Sequence, residues 1–337
     1  MTGEKSNRQM KRIKGWLRWI IWGAALFFIL HTLVSYWPEI RQVKLRANGR
    51  GWLVLAGGIT LFAHCWAGWV WSWLLQDWGL SLSKLWAVRV YLLTNIAKYL
   101  PGNVWHFVGR VQAVQKAGGK LSQSMASVVA EPLVMAVAAL GMGTVFSWIS
   151  WIGWDRRLIP NVRSHLFLVY LGLLIGWAVA LYLLHPRQLN PRLEQMSRLR
   201  MRLITTDPDV DETAFQPLRL AHYPVKPLLG EMLFVWGRSL GFVMTVVALS
   251  PVSLADWPVL ISAFCFAWLL GLVVPGAPGG VGIFEATATA LLSGYFPIGA
   301  IVGSVVCYRM MGTLAELVGA AIFWICGQGE EACAGKR

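Results

Sequence analysis

Charge is what this chain has least of. Only 14% of its 337 residues are Asp, Glu, Lys or Arg, against about a quarter in a typical globular domain, while 56% are apolar. That balance excludes an ordinary water-soluble domain. Catalytic signatures are missing too: there is no GxxxxGK[ST] loop, no HExxH helix and no GxSxG elbow. ATP-driven transport by this chain and the common hydrolytic chemistries therefore find no support. Cysteines are few. Cys65, Cys265, Cys307, Cys326 and Cys333 form no CxxC pair, and three of them lie in apolar runs, where Cys behaves as a small hydrophobe. Neither a disulfide framework, nor a metal site, nor a cofactor is expected. The acidic stretch Asp207-Pro-Asp-Val-Asp-Glu212 lacks the glycine and closing glutamate of an EF-hand loop and reads as solvated.

What is abundant is apolar sequence in long runs, each near the 20 residues that cross a bilayer as a helix. The runs are Trp16 to Trp37, Trp52 to Leu75, a short pair Leu85 to Leu100 and Val104 to Val114, Ser122 to Trp148, Leu166 to Leu184, Leu228 to Leu249, a second pair Trp257 to Val274 and Val281 to Leu292, and Ile298 to Ile325. The expectation is an all-α polytopic membrane protein of about eight hydrophobic segments. The first run is too long for a signal-peptide core and lacks an A-x-A-like cleavage site, so it reads as an anchor. The net charge of +14 sits mainly between the runs, where membrane topology and anionic lipid explain it better than nucleic acid does.

The sequence divides into a basic N-terminus (1–15), a first half (16–149), a second half (166–326) containing a hydrophilic loop (185–227), and a tail (327–337). Lys5, Arg8, Lys11, Arg12 and Lys14 precede the first run, and Arg187, Arg192, Arg198, Arg200 and Arg202 crowd the loop. The positive-inside rule places both, and the C-terminus, in the cytoplasm. The basic connection from Arg41 to Arg50 falls outside in that topology and counts against it.

The halves echo each other. Trp52 and Leu228 open matching runs 176 residues apart, Pro101-Gly102 and Pro275-Gly276 are 174 apart, and the Ser-Val-Val triplets at Ser127 and Ser304 are 177 apart. With the topology above, the relation is an inverted repeat, each half carrying a broken, re-entrant helix hairpin. Matched Gly/Pro-interrupted segments point to a transporter's midplane site. A helix broken at depth must line protein or a wet cavity, and its free N–H groups suit an anion such as phosphate.

Ionisable residues inside apolar runs cost about 2.5–3.5 kcal/mol at a helix centre on insertion scales, which makes them functional candidates. Here they are Arg89, Lys98, Arg110, Glu131, Glu231, Arg238, Glu285, Arg309 and Glu316. Arg110 and Glu285 occupy nearly equivalent places after the two Pro-Gly breaks, as Glu131 and Arg309 do after the triplets. The expectation is a central network of these four, with Arg110 facing Glu285. Arg309 and Glu316 share one face of the last run, and Lys98 sits where it reaches a phosphate. Snorkelling to the headgroups is about an equal alternative for Lys98, Arg89 and Glu231. For His106, a packed aromatic cluster is favoured over a proton relay. Many of the twenty tryptophans fall at run ends, as interfacial anchors do.

Lys98-Tyr-Leu-Pro-Gly-Asn103 with Trp105 and Arg110, together with Pro275-Gly-Ala-Pro-Gly-Gly-Val-Gly-Ile-Phe-Glu285, resembles the flippase-like transmembrane domain of lysylphosphatidylglycerol synthases, over nearly the whole chain. The resemblance implies a multi-pass protein of the bacterial inner membrane that binds and translocates a lipid. It implies a cavity lined by Pro275, Gly276, Gly279, Gly280, Gly282 and Glu285, with Pro101, Gly102, Asn103 and Arg110 opposite. The aminoacyl-transferase domain of the bifunctional synthases is not seen after Ile325, so lysyl transfer is not implied. The leading expectation is a flippase or scramblase for an anionic or polyprenyl-phosphate lipid. The alternatives are a membrane-embedded lipid-modifying enzyme and a non-transporting subunit that presents lipid to an enzyme. Membrane lipids are the expected partners, with a homo-oligomer or a partner membrane enzyme as further contacts.

Overall fold

A computed structural model describes residues 45–100, 104–153, 160–191, 220, 222–274 and 282–334, without the side chains of 151–166 and 327–334. Every regular element among the described residues is helical. The first half contains α1 (Gly49–Asp77), α2 (Lys84–Asn95) running into a 3₁₀ turn (Ile96–Tyr99), α3 (Trp105–Lys116) and α4 (Leu121–Gly153). After α5 (Pro160–Leu183), the second half contains α6 (Val225–Leu249), α7 (Trp257–Val273), α8 (Ile283–Leu292) and α9 (Ile298–Ala334). The run from Trp16 to Trp37 and most of the hydrophilic loop lie outside the described residues.

Local chemistry sets the ends of these helices. Ser83 caps α2, its Oγ accepting from the Trp86 N–H at 3.2 Å, as N-cap serines do. Ser253 and Asp256 cap each other ahead of α7, Asp256 Oδ2 accepting from the Ser253 N–H and Oγ. Gly118 turns α3 into α4 with φ of 92°, a backbone conformation that glycine adopts without penalty. Gly49–Asp77, Leu121–Ser150, Val225–Leu249, Leu254–Val273 and Ile298–Cys326 are each long and apolar enough to cross a membrane. The segment from Trp257, expected as a short hairpin arm, is thus a full-length candidate span. Phe62, Leu168, Leu229 and Ile325 point outward, as side chains facing lipid tails do.

The centre of the bundle is the pairing of α1 with α6. Small residues let the two backbones approach, the device that replaces the hydrophobic effect between helices in lipid. A Cβ on Gly241 would meet Thr60 Oγ1 at 2.6 Å, and one on Gly230 would meet Val70 at 2.6 Å. Trp66 Nε1 donates to the Gly230 carbonyl at 2.8 Å, and Arg46 N to the Ala248 carbonyl at 3.0 Å. The start of α1 therefore lies beside the end of α6, and the two helices are antiparallel.

Packing around this pair is symmetric under exchange of the halves. α4 packs on α7 and α9 on α2; α1 packs on α9 and α6 on α4; α1 touches α2 as α6 touches α7; α3 lies on α4 as α8 lies on α9. α5 packs against α4.

Candidate functional site

The charged residues of the apolar helices gather in two layers. The first is built around Glu316 on α9, which is 2% exposed. Its Oε1 takes the ammonium of Lys98 and lies 3.0 Å from His64 Nε2 on α1. Its Oε2 accepts from the Tyr99 hydroxyl at 3.0 Å, and that hydroxyl also meets Thr313 Oγ1 at 3.0 Å. The 3₁₀ turn places Lys98 and Tyr99 side by side on this carboxylate. Arg238 of α6 stands 2.7 Å from the same His64 Nε2 and lies over the Tyr308 ring. One ring nitrogen either donates to Glu316 or accepts from Arg238, so His64 serves one neighbour at a time.

Arg309 completes this layer. It pairs with Glu285 through Nε, and its Nη2 donates to Glu285 Oε2 at 3.2 Å. Its guanidinium lies over Phe284 and within electrostatic reach of Lys98. Glu285 also folds back onto the start of its own helix, where Oε2 accepts from the Gly282 N–H at 2.6 Å. Gly282 has φ of 87°, a conformation that admits glycine and few others. Phe242, Phe264, Phe284 and Tyr308 form a cluster of ring contacts beneath, at centroid distances of 5.4–6.2 Å.

The second layer is built around Arg110 of α3, 2% exposed and ion-paired to Glu131 of α4. The Tyr91 hydroxyl also donates to Glu131. The guanidinium lies 3.8 Å from the Tyr91 ring centroid and 5.7 Å from that of Trp71, cation–π contacts that strengthen when desolvated. Pro132, next to Glu131, lacks the N–H that would close the helical turn. Glu231 of α6 is fully buried and within electrostatic reach of Arg110 and Glu131.

The layers are stacked. His64 and Trp71 on α1, Tyr91 and Lys98 on α2 with its turn, and Glu231 and Arg238 on α6 are each seven residues apart. Each pair places one residue in each layer. Seven residues are two helical turns, about 10 Å, so the layers share three walls at that spacing. His106 lies between them, one turn before Arg110 and within electrostatic reach of Lys98, Glu316 and Arg110.

Two expectations need correction. Arg110 does not face Glu285: each hairpin charge instead pairs within its own half, Arg110 with Glu131 and Glu285 with Arg309. The cause is connectivity. α3 runs into α4, and α8 into α9, through short turns that fold each pair of helices together. The single four-residue network is accordingly two separate pairs in two layers. Nor do Lys98 and Glu231 snorkel. Lys98 turns inward onto Glu316, and Glu231 is in the core. Arg89 is half-buried. His106 packs its ring on Phe107 at 3.8 Å. Pro101, Gly102, Asn103, Pro275, Gly276, Gly279 and Gly280 lie outside the described residues. His64, Tyr91 and Thr313 went unremarked in the sequence, and Tyr99 stands there only within the motif at 98–103. His64, an ionisable side chain inside the run from Trp52 to Leu75, carries the signal that marks the other candidates, whereas the hydroxyl residues carry none.

No curated protein matches the chain. The family described as the lysylphosphatidylglycerol synthase TM region matches residues 15–319, and over that length, which takes in every residue of both layers, the chain belongs to that family.

Proposed function

We propose that this protein translocates a phosphate-bearing anionic lipid between the leaflets of the bacterial inner membrane, with no covalent chemistry on the lipid. The observation that carries this reading is the first layer. Lys98, Arg238 and Arg309 face two carboxylates, Glu316 and Glu285, which leaves one positive charge in excess among the described residues, inside an apolar bundle. An unbalanced charge at membrane depth is costly unless something completes it. A lipid phosphate completes it with charge-assisted hydrogen bonds to guanidinium and ammonium donors.

Membership of the lysylphosphatidylglycerol synthase TM region family supports a role with membrane lipids. An inverted repeat accounts for the antiparallel α1–α6 pair and the exchange-symmetric packing. In transporters built that way the site lies near the midplane, between the repeats. The first layer takes residues from both halves: His64, Lys98 and Tyr99 from one, Arg238, Glu285, Arg309 and Glu316 from the other. Here the headgroup crosses in the polar layer while the tails stay among the outward-facing apolar side chains. The N-terminus and C-terminus are cytoplasmic, following the basic clusters.

The test is leaflet exchange of labelled phosphatidylglycerol and of a labelled polyprenyl phosphate in vesicles holding the purified protein. Wild type should exchange at least one of them faster than empty vesicles, and Arg309→Gln should reduce the rate at least tenfold while remaining monodisperse. Wild-type rates equal to empty vesicles for both lipids would contradict translocation and favour a subunit that presents lipid to an enzyme.

A further inference from the structure

The second layer carries an imbalance of the opposite sign. Arg110 faces two carboxylates, Glu131 and Glu231, and only Glu131 is answered by it directly. Glu231 is 0% exposed, and neither of its carboxyl oxygens has a hydrogen-bond partner among the described residues. Lone ionised carboxylates are not sustained in such surroundings; they are neutralised by a proton or by a bound cation.

The neighbours of Glu231 leave no other source of compensation among the described residues. α6 packs against α1, α4, α7 and α9. From α1, Trp71 belongs to the second layer, while His64 is engaged in the first and Asp77 lies near His222 and Lys226 at the end of the helix. From α4 comes Glu131, itself negative. α7 carries no charged side chain. Of the charged residues of α9, Arg309 and Glu316 are paired in the first layer, and Glu330 and Glu331 belong to its last turns, whose side chains lie outside the described residues. On α6 itself, Arg238 stands two turns away against His64. Tyr91 and Arg110 complete the surroundings. No group of three or more His, Cys, Asp or Glu suited to a metal ion occurs among the described residues, which favours a proton as the occupant.

We propose that Glu231 and Glu131 form a proton-binding site that holds one exchangeable proton two turns from the headgroup layer, coupling lipid movement to the proton gradient. The coupling rests on the translocation reading; the proton site does not. The proton arrives from water on one side of the membrane, resides on the carboxylate pair beside Arg110, and leaves to the other side as the anionic headgroup crosses. α6 links the two events mechanically, because Glu231 and Arg238 stand on one face of it.

Two measurements test this on the full-length protein. Infrared spectra of the protein in lipid nanodiscs at pH 7 should show the carbonyl stretch of a protonated buried carboxyl, with the shift expected in deuterium oxide. That band should be lost in Glu231→Gln and perturbed in Glu131→Gln. Its absence from wild type, or its full survival in Glu231→Gln with Glu131→Gln also unchanged, would overturn the site without reference to transport. In the second measurement, exchange of labelled phosphatidylglycerol is followed in wild-type vesicles with and without an imposed pH gradient. A several-fold change in rate on imposing the gradient is expected. Exchange that proceeds equally under both conditions would overturn the coupling. Vesicles that exchange no lipid at all would refute the translocation reading, and the infrared band would still decide whether the proton site exists.

Discussion

Glu316 illustrates how a single residue organises this protein. One carboxylate, nearly sealed from solvent, meets an ammonium, an imidazole and a phenol from two other elements. Breaking a buried pair by removing one partner strands the other charge and costs about 3–5 kcal/mol. Glu316→Gln is therefore expected to lower stability by about that amount in denaturant titration of the detergent-solubilised protein. Tyr99→Phe, which removes the hydroxyl's hydrogen bonds to Glu316 and Thr313 but strands no charge, should cost about 1–2 kcal/mol. Equal effects of the two substitutions would show that the carboxylate is not the hub of its layer. Eight of the residues in these layers were legible from sequence, because ionisable groups inside apolar runs are rare and expensive: Lys98, Arg110, Glu131, Glu231, Arg238, Glu285, Arg309 and Glu316. Their pairings were not. Lys98 and Glu316 are 218 positions apart, and only the fold brings them together. The uncharged partners, Tyr91, Tyr99 and Thr313, carry no signal of their own in a single sequence.

At the scale of elements, runs of apolar residues foretold where helices lie, and the structure moves most of their ends by only a few residues. Helix crossings were less legible, since they depend on which face of each helix is narrow. Gly68 on α1 is such a place: a Cβ there would meet the Cα of Val88 on α2 at 2.7 Å. Backbone cannot yield as a side-chain tip can. Gly68→Ala should thus cost about 1–3 kcal/mol, the range for overpacking. Gly58, ten residues earlier on the same helix, has open space around it. Gly58→Ala should be neutral or stabilising by up to about 1 kcal/mol through helix propensity. Thermal unfolding of the two variants in one detergent checks the contrast, and similar melting temperatures would contradict the α1–α2 contact. The hairpin charges belong to this scale as well. Equivalent positions in the two halves suggested that Arg110 faces Glu285. The short turn at Gly118 instead folds α3 back on α4, and the turn after Leu292 does the same for α8 and α9. Chain connectivity outweighed repeat symmetry.

For the whole molecule, the two halves share a packing plan but not a charge plan. The second hairpin helix carries a cation in the first half, Arg110, and an anion in the second, Glu285. Each is answered from the following long helix by the opposite sign. The packing exchange positions the layers, and the broken charge symmetry makes them different: among the described residues, one gathers three cations around two carboxylates, the other two carboxylates around one cation. The central claim is that the positive layer holds a lipid phosphate. Its most direct test is native mass spectrometry of the delipidated protein after addition of phosphatidylglycerol, comparing wild type, Arg238→Gln and Glu231→Gln. Wild type and Glu231→Gln should each retain bound phosphatidylglycerol, and Arg238→Gln should lose most of it. Equal retention by all three proteins would contradict the assignment of the headgroup to that layer.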